Sequence, residues 1–205
     1  MIFKFEVDKL LIKQLQEVET WHRFLPEFEF SSVEDFPKLV STQHQVNFEL
    51  WHQEDLARDP DALDSIISNV KRVIDVLNQR RNDLIEQMDQ FLLNIINAEN
   101  VEINAETEMN SETPGSMIDR LSINALKIYH MDEEIQREEV TADHRKKCKA
   151  KLSVLKEQRN DLEKCLAKLL FDLSRGEKRL KVYQQMKMYN DESLNPVIYR
   201  KAKSS

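Results

Sequence analysis

Hydrophobic residues recur every three or four positions along most of the chain, a spacing typical of amphipathic α-helices. Short polar stretches interrupt this pattern and divide the chain into helical segments. We predict helices over residues 7–23, 36–58, 60–97, 114–135, 142–174 and 177–189. The third and fifth are long, so the pattern favours a bundle in which two long helices lie beside shorter ones.

Residues that cap or break helices mark several of the predicted ends. Start signals are given by the pairs Asp59-Pro60 and Thr113-Pro114 and by Thr141. In each pair the first side chain can cap the helix and proline can take its first position. Gly176 is expected to end or kink the fifth helix. The polar segments 26–32 and 97–115 are predicted loops, and long loops in compact domains are often functional.

Composition supports an all-α fold. The chain has two glycines and five prolines in 205 residues, and 33% of its residues are charged. Such a sequence is rich in helix formers and poor in the turn residues of all-β folds. We predict an all-α, single-domain bundle of five to six helices, two of them long and repeat-related, over residues 1–190. Residues 191–205 are predicted to form a C-terminal loop and a frayed tail.

Charge and hydropathy exclude several classes of partner. The net charge is −7, whereas binding to nucleic acid phosphates needs a positive surface. The apolar run at the N-terminus is too short for a signal peptide, and no stretch is predicted to span a bilayer. The two cysteines, Cys148 and Cys165, are too far apart on one helix to pair, so we expect reduced thiols and a cytoplasmic protein.

An internal repeat links the two long helices. Residues 74–95 and 152–173 superpose at a constant offset that aligns two copies of the string RNDL, beginning at Arg81 and Arg159. The apolar positions of the two segments then agree as well. We therefore expect the two helices to use equivalent faces in one bundle.

Both repeat-related arginines lie within the leucine-rich stripe of their helix when residues are placed about 100° apart. Arg81 and Arg159 should therefore point toward the core. A buried guanidinium keeps its charge, so it needs a carboxylate, a phosphate or several carbonyl groups as partners. The spacing leaves two interpretations open, an internal network that fixes packing and a bound anionic ligand.

The second predicted helix also carries polar residues on an apolar face. At helical spacing this face carries Gln43, Asn47, Glu54 and Arg58, and Trp51 lies at its border. Glu49 and His52 have the Glu-x-x-His spacing of carboxylate-bridged di-metal bundles, which require a second such pair. We find no second pair and predict no metal ligands.

The fourth predicted helix is apolar nearly all round and is expected to be central. Its polar residues Asp119 and His130 share one stripe with Ile123 and Leu126. A core histidine near an aspartate is more often a structural pair than a general base. Free N–H groups at the start of this helix, however, favour an anion there.

Four strings carry a resemblance to a known family: LWHQEDLARDPD, NQRRNDLIE, NSETPGSMIDRLSINALKIYHM and VYQQMKMYND. They resemble the bacterial domain-of-unknown-function 4254 family over nearly the whole chain. The resemblance implies no activity. It implies only a genomic setting beside glycosyltransferases of cell-surface polysaccharide assembly.

The first functional hypothesis is a site for a small anionic molecule, such as a phosphorylated sugar or a nucleotide-like compound. The candidate catalytic acids and bases are Glu54, Asp83, Asp119 and His130. The candidate ligand-binding residues are Asn47, Trp51, Arg58, Arg81, Asn82, Thr113, Arg120, Lys127, Arg159, Lys187 and Asn190. A C-terminal turn that includes Asn190 could close over the site as a lid.

Two other hypotheses belong to different classes. A magnesium-dependent all-α nucleotide phosphohydrolase would use carboxylates such as Asp83, Glu86 and Asp89, but Glu86 is predicted to face away from the leucine stripe. A non-catalytic helical accessory protein, with a glycosyltransferase as partner, would need an exposed apolar patch.

Overall fold

The computed structural model describes residues 2–24, 35–184 and 193–197. These residues form the helices α1 (Val7–Arg23), α2 (Phe36–Leu56), α3 (Asp64–Ala98), α4 (Pro114–Gln136) and α5 (Ala142–Ser174). The predicted all-α bundle is confirmed, and α3 and α5 are long, with 35 and 33 residues. Among the described residues, the β-type pairing is limited to an isolated bridge between Met109 and Arg179. No helix in these ranges combines the length and hydrophobicity needed to cross a lipid bilayer.

Helix α4 occupies the centre of the bundle and packs against α1, α2, α3 and α5. Its apolar side chains are almost fully buried, including Ile118, Leu121, Ala125 and Leu126. This agrees with the apolar pattern around the whole helix. Polar side chains on α4 therefore face other helices and need partners there.

The helix starts at Thr113 and Thr141 form as predicted. Thr113 Oγ1 accepts a hydrogen bond from the Ser116 N–H at 3.2 Å, and Thr141 Oγ1 accepts one from the His144 N–H at 3.2 Å. Each cap satisfies a backbone donor that the first helical turn leaves free. The starts of α4 and α5 are thus encoded locally.

The predicted start of α3 is wrong by several residues. Asp59 does not cap the helix, because its Oδ1 accepts from the Asp61 N–H at 2.9 Å inside a turn. The helix begins instead at Asp64, after Leu63. An aspartate before proline can start a turn as readily as a helix, and the two have the same sequence signal.

The predicted sixth helix is wrong in its described part, residues 177–184. Gly176 has a φ of 70°, and the Glu177 N–H donates to the Asp172 carbonyl at 2.9 Å, which closes α5 with a left-handed residue. The following residues are not helical, and the Arg179 N–H donates to the carbonyl of Glu108 at 3.0 Å. Pairing with the 97–115 loop has replaced helix continuation. Residues 185–189 lie outside the described residues, as does the predicted loop at 26–32.

The repeat segments turn equivalent faces inward. Buried pairs at matching positions are Ile74 and Leu152, Met88 and Leu166, and Leu92 and Leu170. Val76 and Val154 also match, and both are exposed, at 69% and 52%. Arg81 and Arg159 both point toward the bundle, as their helical phase predicts, but they reach different partners.

Candidate functional site

A buried carboxylate on the central helix organises the polar part of the core. Asp119 on α4 is only 4% exposed. Its Oδ1 accepts hydrogen bonds from Gln43 Nε2 at 2.6 Å, Asn47 Nδ2 at 2.9 Å and Arg81 Nε at 2.7 Å. Arg81 Nη2 donates to the other oxygen, Oδ2. Arg81 and Asp119 therefore form a two-point ion pair that joins α3 to α4, with two amides from α2 around it.

The network continues from Asn47 toward α1. Asn47 Nδ2 also donates to Ser122 Oγ at 2.9 Å, and Ser122 lies 2.7 Å from His44 Nδ1. His44 Nε2 lies 2.9 Å from the Gln14 carbonyl oxygen, which can only accept, so Nε2 carries the hydrogen. Burial lowers the pKa of His44 to about 3. The ring is neutral at pH 7, and its Nδ1 accepts from the Ser122 hydroxyl.

A cavity of about 310 Å³ opens above this network, between α2, α3 and α4. Five of the predicted site residues line it: Asn47, Trp51, Glu54, Arg58 and Arg81. Leu50, Asp55, Asn78, Ile123 and Leu126 complete the lining. We call this space the α2–α3 cleft. The polar stripe of α2 and the inward arginine of α3 thus meet at one surface-connected site.

The charges around the α2–α3 cleft are balanced. Arg58 and Arg81 are opposed by Glu54 and Asp55. Arg58 Nη1 donates to Glu54 Oε2 at 2.6 Å, one helical turn away, in a largely exposed pair. Such a pair is weak in water and can exchange partners at little cost. Arg81 is held firmly, because its acceptor Asp119 is buried.

Arg159 does not reach the α2–α3 cleft. Its Nη1 donates to the Leu121 carbonyl at 3.0 Å and its Nη2 to the Leu11 carbonyl at 2.5 Å. Burial lowers the pKa of Arg159 to about 10, so the side chain remains a cation at pH 7. The guanidinium ties α5 to the backbones of α4 and α1. Its contacts are those of a packing residue.

Three further candidates lie along the outer side of α4, facing α5. Lys127 and His130 line an apolar groove of about 660 Å³ together with Trp51. Arg120 and Lys127 line an adjoining groove of about 510 Å³. Arg120 donates to both carboxylate oxygens of Glu112 at 2.7 Å. Trp51 is common to the apolar groove and the α2–α3 cleft.

The remaining candidates are not part of the cleft. Thr113 is the cap of α4, and Asp83 accepts from Gln79 Nε2 at 2.8 Å along α3. Asn82 is half-buried on α3 and is absent from the cleft lining. Lys187 and Asn190, with the predicted lid, lie outside the described residues.

Asp83 and Asp89, two of the acids expected for a magnesium site, have different hydrogen-bond partners. Asp89 is buried and its Oδ1 accepts from the Gly115 N–H at 2.7 Å, which fixes α3 against the start of α4. Burial raises the pKa of Asp89 to about 6. Within the described ranges, three side chains are placed so that they could share a metal ion, and all three are histidines: His22, His52 and His130.

Sequence reasoning missed several residues that the structure brings into play. His44 lies between Gln43 and Asn47 on the buried face of α2, so its helical phase could have included it. Burial also raises the pKa of Glu49 to about 7, whereas the sequence marked this residue only by its spacing from His52. No residue near His22, at the end of α1, indicated from the sequence that it belongs to a site.

Comparison with known proteins identifies a family. The family described as Protein of unknown function (DUF4254) matches residues 37–182, which include α3 to α5, all of α2 except Phe36, and every cleft residue. This confirms the family resemblance; the first three sequence strings lie within the match, whereas the fourth begins at Val182, where the match ends. No curated protein and no solved structure matches the chain.

Proposed function

The chain belongs to the DUF4254 family of proteins of unknown function, and we propose that its α2–α3 cleft binds a small molecule through an anionic group. The observation that carries this proposal is the fixed guanidinium of Arg81 in the cleft wall. Its side chain is 27% exposed although its partner Asp119 is buried. The cation is therefore presented to the cleft by a rigid support.

The contacts of Arg81 leave one edge of the guanidinium for a ligand. Asp119 takes Nε and Nη2, and Nη1 makes no hydrogen bond to any described residue. A phosphate or carboxylate can accept from Nη1 without displacing Asp119. Because Gln43 and Asn47 hold the carboxylate from α2, binding requires little reordering of the arginine. Preorganisation of this kind lowers the entropic cost of binding.

The rest of the cleft indicates the size and character of the ligand. A volume of about 310 Å³ suits a sugar or a similarly small group. Trp51 offers an aromatic face, and Arg58 can leave Glu54 for a second contact with phosphate. We therefore propose a phosphorylated sugar or a nucleotide-like compound. Sugar phosphates come first, because the family resemblance implies a setting in cell-surface polysaccharide assembly.

Binding can be tested by calorimetry and thermal unfolding with a hexose 1-phosphate, a nucleoside diphosphate sugar and inorganic phosphate. At least one of the first two should bind and raise the melting temperature. Arg81→Lys keeps a cation beside Asp119 but removes the planar fork, so it should weaken binding at least about tenfold. Arg58→Gln should weaken binding as well.

Arg23→Gln is the matched control for Arg58→Gln. Arg23 pairs with Glu19 at the same spacing and at the same 2.6 Å, with similar exposure, but it does not line the cleft. Its replacement should leave binding unchanged. The proposal fails if none of the three compounds binds at millimolar concentration, or if Arg58→Gln and Arg81→Lys bind as the unmodified protein does.

An exposed apolar stripe supports a second candidate, a non-catalytic accessory of a glycosyltransferase. Ile66, Val73 and Val76 lie within about 80° of one another around α3 and are all exposed. Leu63 at the cap of the helix is exposed as well. If this stripe binds the partner, Val76→Lys should abolish co-purification with a co-expressed glycosyltransferase. Val154→Lys, at the repeat-equivalent exposed valine of α5, should not. Equal co-purification of both variants would contradict this candidate.

A further inference from the structure

Three histidines from three different helices meet beside Trp51. His22 lies in the last turn of α1, His52 near the end of α2 and His130 on α4. One ring nitrogen of each lies within 4.8 Å of a ring nitrogen of the others. The ring centroids are 5.0 to 5.8 Å apart. The bundle therefore gathers imidazoles that are far apart in the sequence.

Hydrogen bonds fix the tautomers of two of these rings. His22 Nδ1 lies 2.7 Å from the Val18 carbonyl oxygen, and His130 Nδ1 lies 2.7 Å from Glu133 Oε2. Both oxygens accept, so each Nδ1 carries a hydrogen and each neutral ring has its lone pair on Nε2. Both Nε2 atoms are buried and have no hydrogen-bond partner among the described residues.

We propose that His22, His52 and His130 bind one divalent transition-metal ion, with zinc as the expected metal. Neutral imidazole nitrogens suit Zn²⁺, whereas Mg²⁺ and Ca²⁺ prefer oxygen ligands. Packing alone does not account for the cluster, because two buried lone pairs without partners cost stability that phenylalanine rings would avoid. A metal would use both lone pairs.

The contacts around the histidines are those that orient metal ligands in proteins. Such ligands commonly donate their other N–H to a backbone carbonyl or a carboxylate, as His22 and His130 do here. Trp51 stacks on His130 with centroids 4.8 Å apart and an angle of 8°. Tyr129 stacks on His22 with centroids 4.0 Å apart. These neighbours hold two of the rings at fixed orientation.

The distances allow the rings to close on a metal. Zinc–nitrogen bonds of about 2.0–2.1 Å place the ligand atoms of a tetrahedral site roughly 3.3 Å apart. From separations of at most 4.8 Å, small side-chain rotations are sufficient. Three protein ligands leave the fourth position for water or an exogenous ligand, and His130 borders the apolar groove that would admit it.

The test is titration of chelator-treated full-length protein with Zn²⁺ by calorimetry and with Co²⁺ by visible absorption. We expect one ion per chain, an increase in melting temperature with Zn²⁺, and an intense tetrahedral Co²⁺ spectrum. His22→Gln, His52→Gln and His130→Gln should each weaken Zn²⁺ binding at least about 100-fold. Glu133→Gln, which alters the orienting contact of His130, should weaken it about 10-fold to 100-fold.

His144→Gln is the matched control. His144 Nε2 lies 3.1 Å from Glu134 Oε2 and 3.3 Å from Cys148 Sγ, so it could attract metal outside the proposed site. This variant should retain the high-affinity ion. Circular dichroism without metal establishes that each variant is folded.

Absence of binding at micromolar Zn²⁺, or equal affinity in His130→Gln and the unmodified protein, would overturn the proposal. So would loss of the ion in His144→Gln alone. These outcomes are independent of phosphate binding in the α2–α3 cleft, because calorimetry with sugar phosphates can be carried out on metal-free protein.

Discussion

The ion pair between Arg81 and Asp119 should contribute far more to folding stability than the pair between Arg120 and Glu112. The two pairs share helix α4 and neighbouring positions, but Asp119 has a side-chain exposure of 6% whereas Arg120 and Glu112 are 51% and 40% exposed. Replacing Asp119 with alanine removes the acceptor of four hydrogen bonds. Replacing Glu112 with alanine removes an acceptor that water can substitute.

The magnitude follows from what each substitution leaves behind. After Asp119→Ala, Arg81 keeps its charge and Gln43 Nε2 loses its acceptor, while Asn47 still donates to Ser122. Removing one partner of a buried pair costs about 3–5 kcal/mol. Because Arg81 is partly exposed, we expect about 3 kcal/mol. Glu112→Ala should cost less than about 1 kcal/mol.

Urea unfolding followed by far-UV circular dichroism measures both losses, provided that the m-value is unchanged. The double variant Arg81→Met/Asp119→Leu removes both charges and should recover a large part of the loss seen for Asp119→Ala. If Asp119→Ala costs no more than Glu112→Ala, or if the effects at Arg81 and Asp119 are additive, the buried pair does not organise the core as we describe.

Three further outcomes follow from individual contacts. In Gly115→Ala the new Cβ would lie 2.7 Å from the Ile85 carbonyl oxygen and 2.9 Å from Asp89 Oδ1; because the first of these is backbone, we expect a loss of about 2–3 kcal/mol in thermal or urea unfolding. Since the folded pKa of Asp89 is raised to about 6, its ionisation destabilises the folded state as pH rises from about 4 to 6. At pH 7.5 the free energy of unfolding of Asp89→Asn, measured with urea, should therefore exceed that of the unmodified protein by up to about 3 kcal/mol. At pH 4 the difference should be small. A gain in stability that does not depend on pH would contradict the raised pKa of Asp89. Because its pKa is lowered to about 3, His44 should remain neutral at pH 5 and carry its hydrogen on Nε2, toward the Gln14 carbonyl. Ring ¹⁵N NMR at pH 5 tests this directly. An imidazolium signal at that pH would contradict the prediction.

Features encoded within one or two turns of chain were predictable. The bounds of α1 match the apolar pattern, and the caps at Thr113 and Thr141 form because a hydroxyl reaches a backbone N–H three residues later. The inward direction of Arg81 and Arg159 also follows from helical phase alone. These properties depend on a residue and its own helix.

Features that depend on a neighbouring helix were not predictable from phase. Arg81 and Arg159 hold equivalent repeat positions, yet one meets a carboxylate and the other meets carbonyl groups, because different helices lie opposite them. The stretch 177–184 has helical composition but pairs with a distant loop. His22, His52 and His130 have no common spacing, so only the packing of three helices brings them together.

The hydrogen bonds of Asp119 bear on which groups remain for chemistry. Asp119 was a candidate acid or base, but its Oδ1 accepts from three donors and its Oδ2 from Arg81, so it orients the guanidinium. Two groups can still bind a ligand: Nη1 of Arg81, a residue that lines the α2–α3 cleft, and the Nε2 lone pair of His130 in the histidine cluster. Trp51 is shared by the two sites, because it lines the cleft and also stacks on His130. A ligand anchored by its anionic group at Arg81 would therefore share the cleft with Trp51, whose ring also stacks on the proposed metal ligand His130.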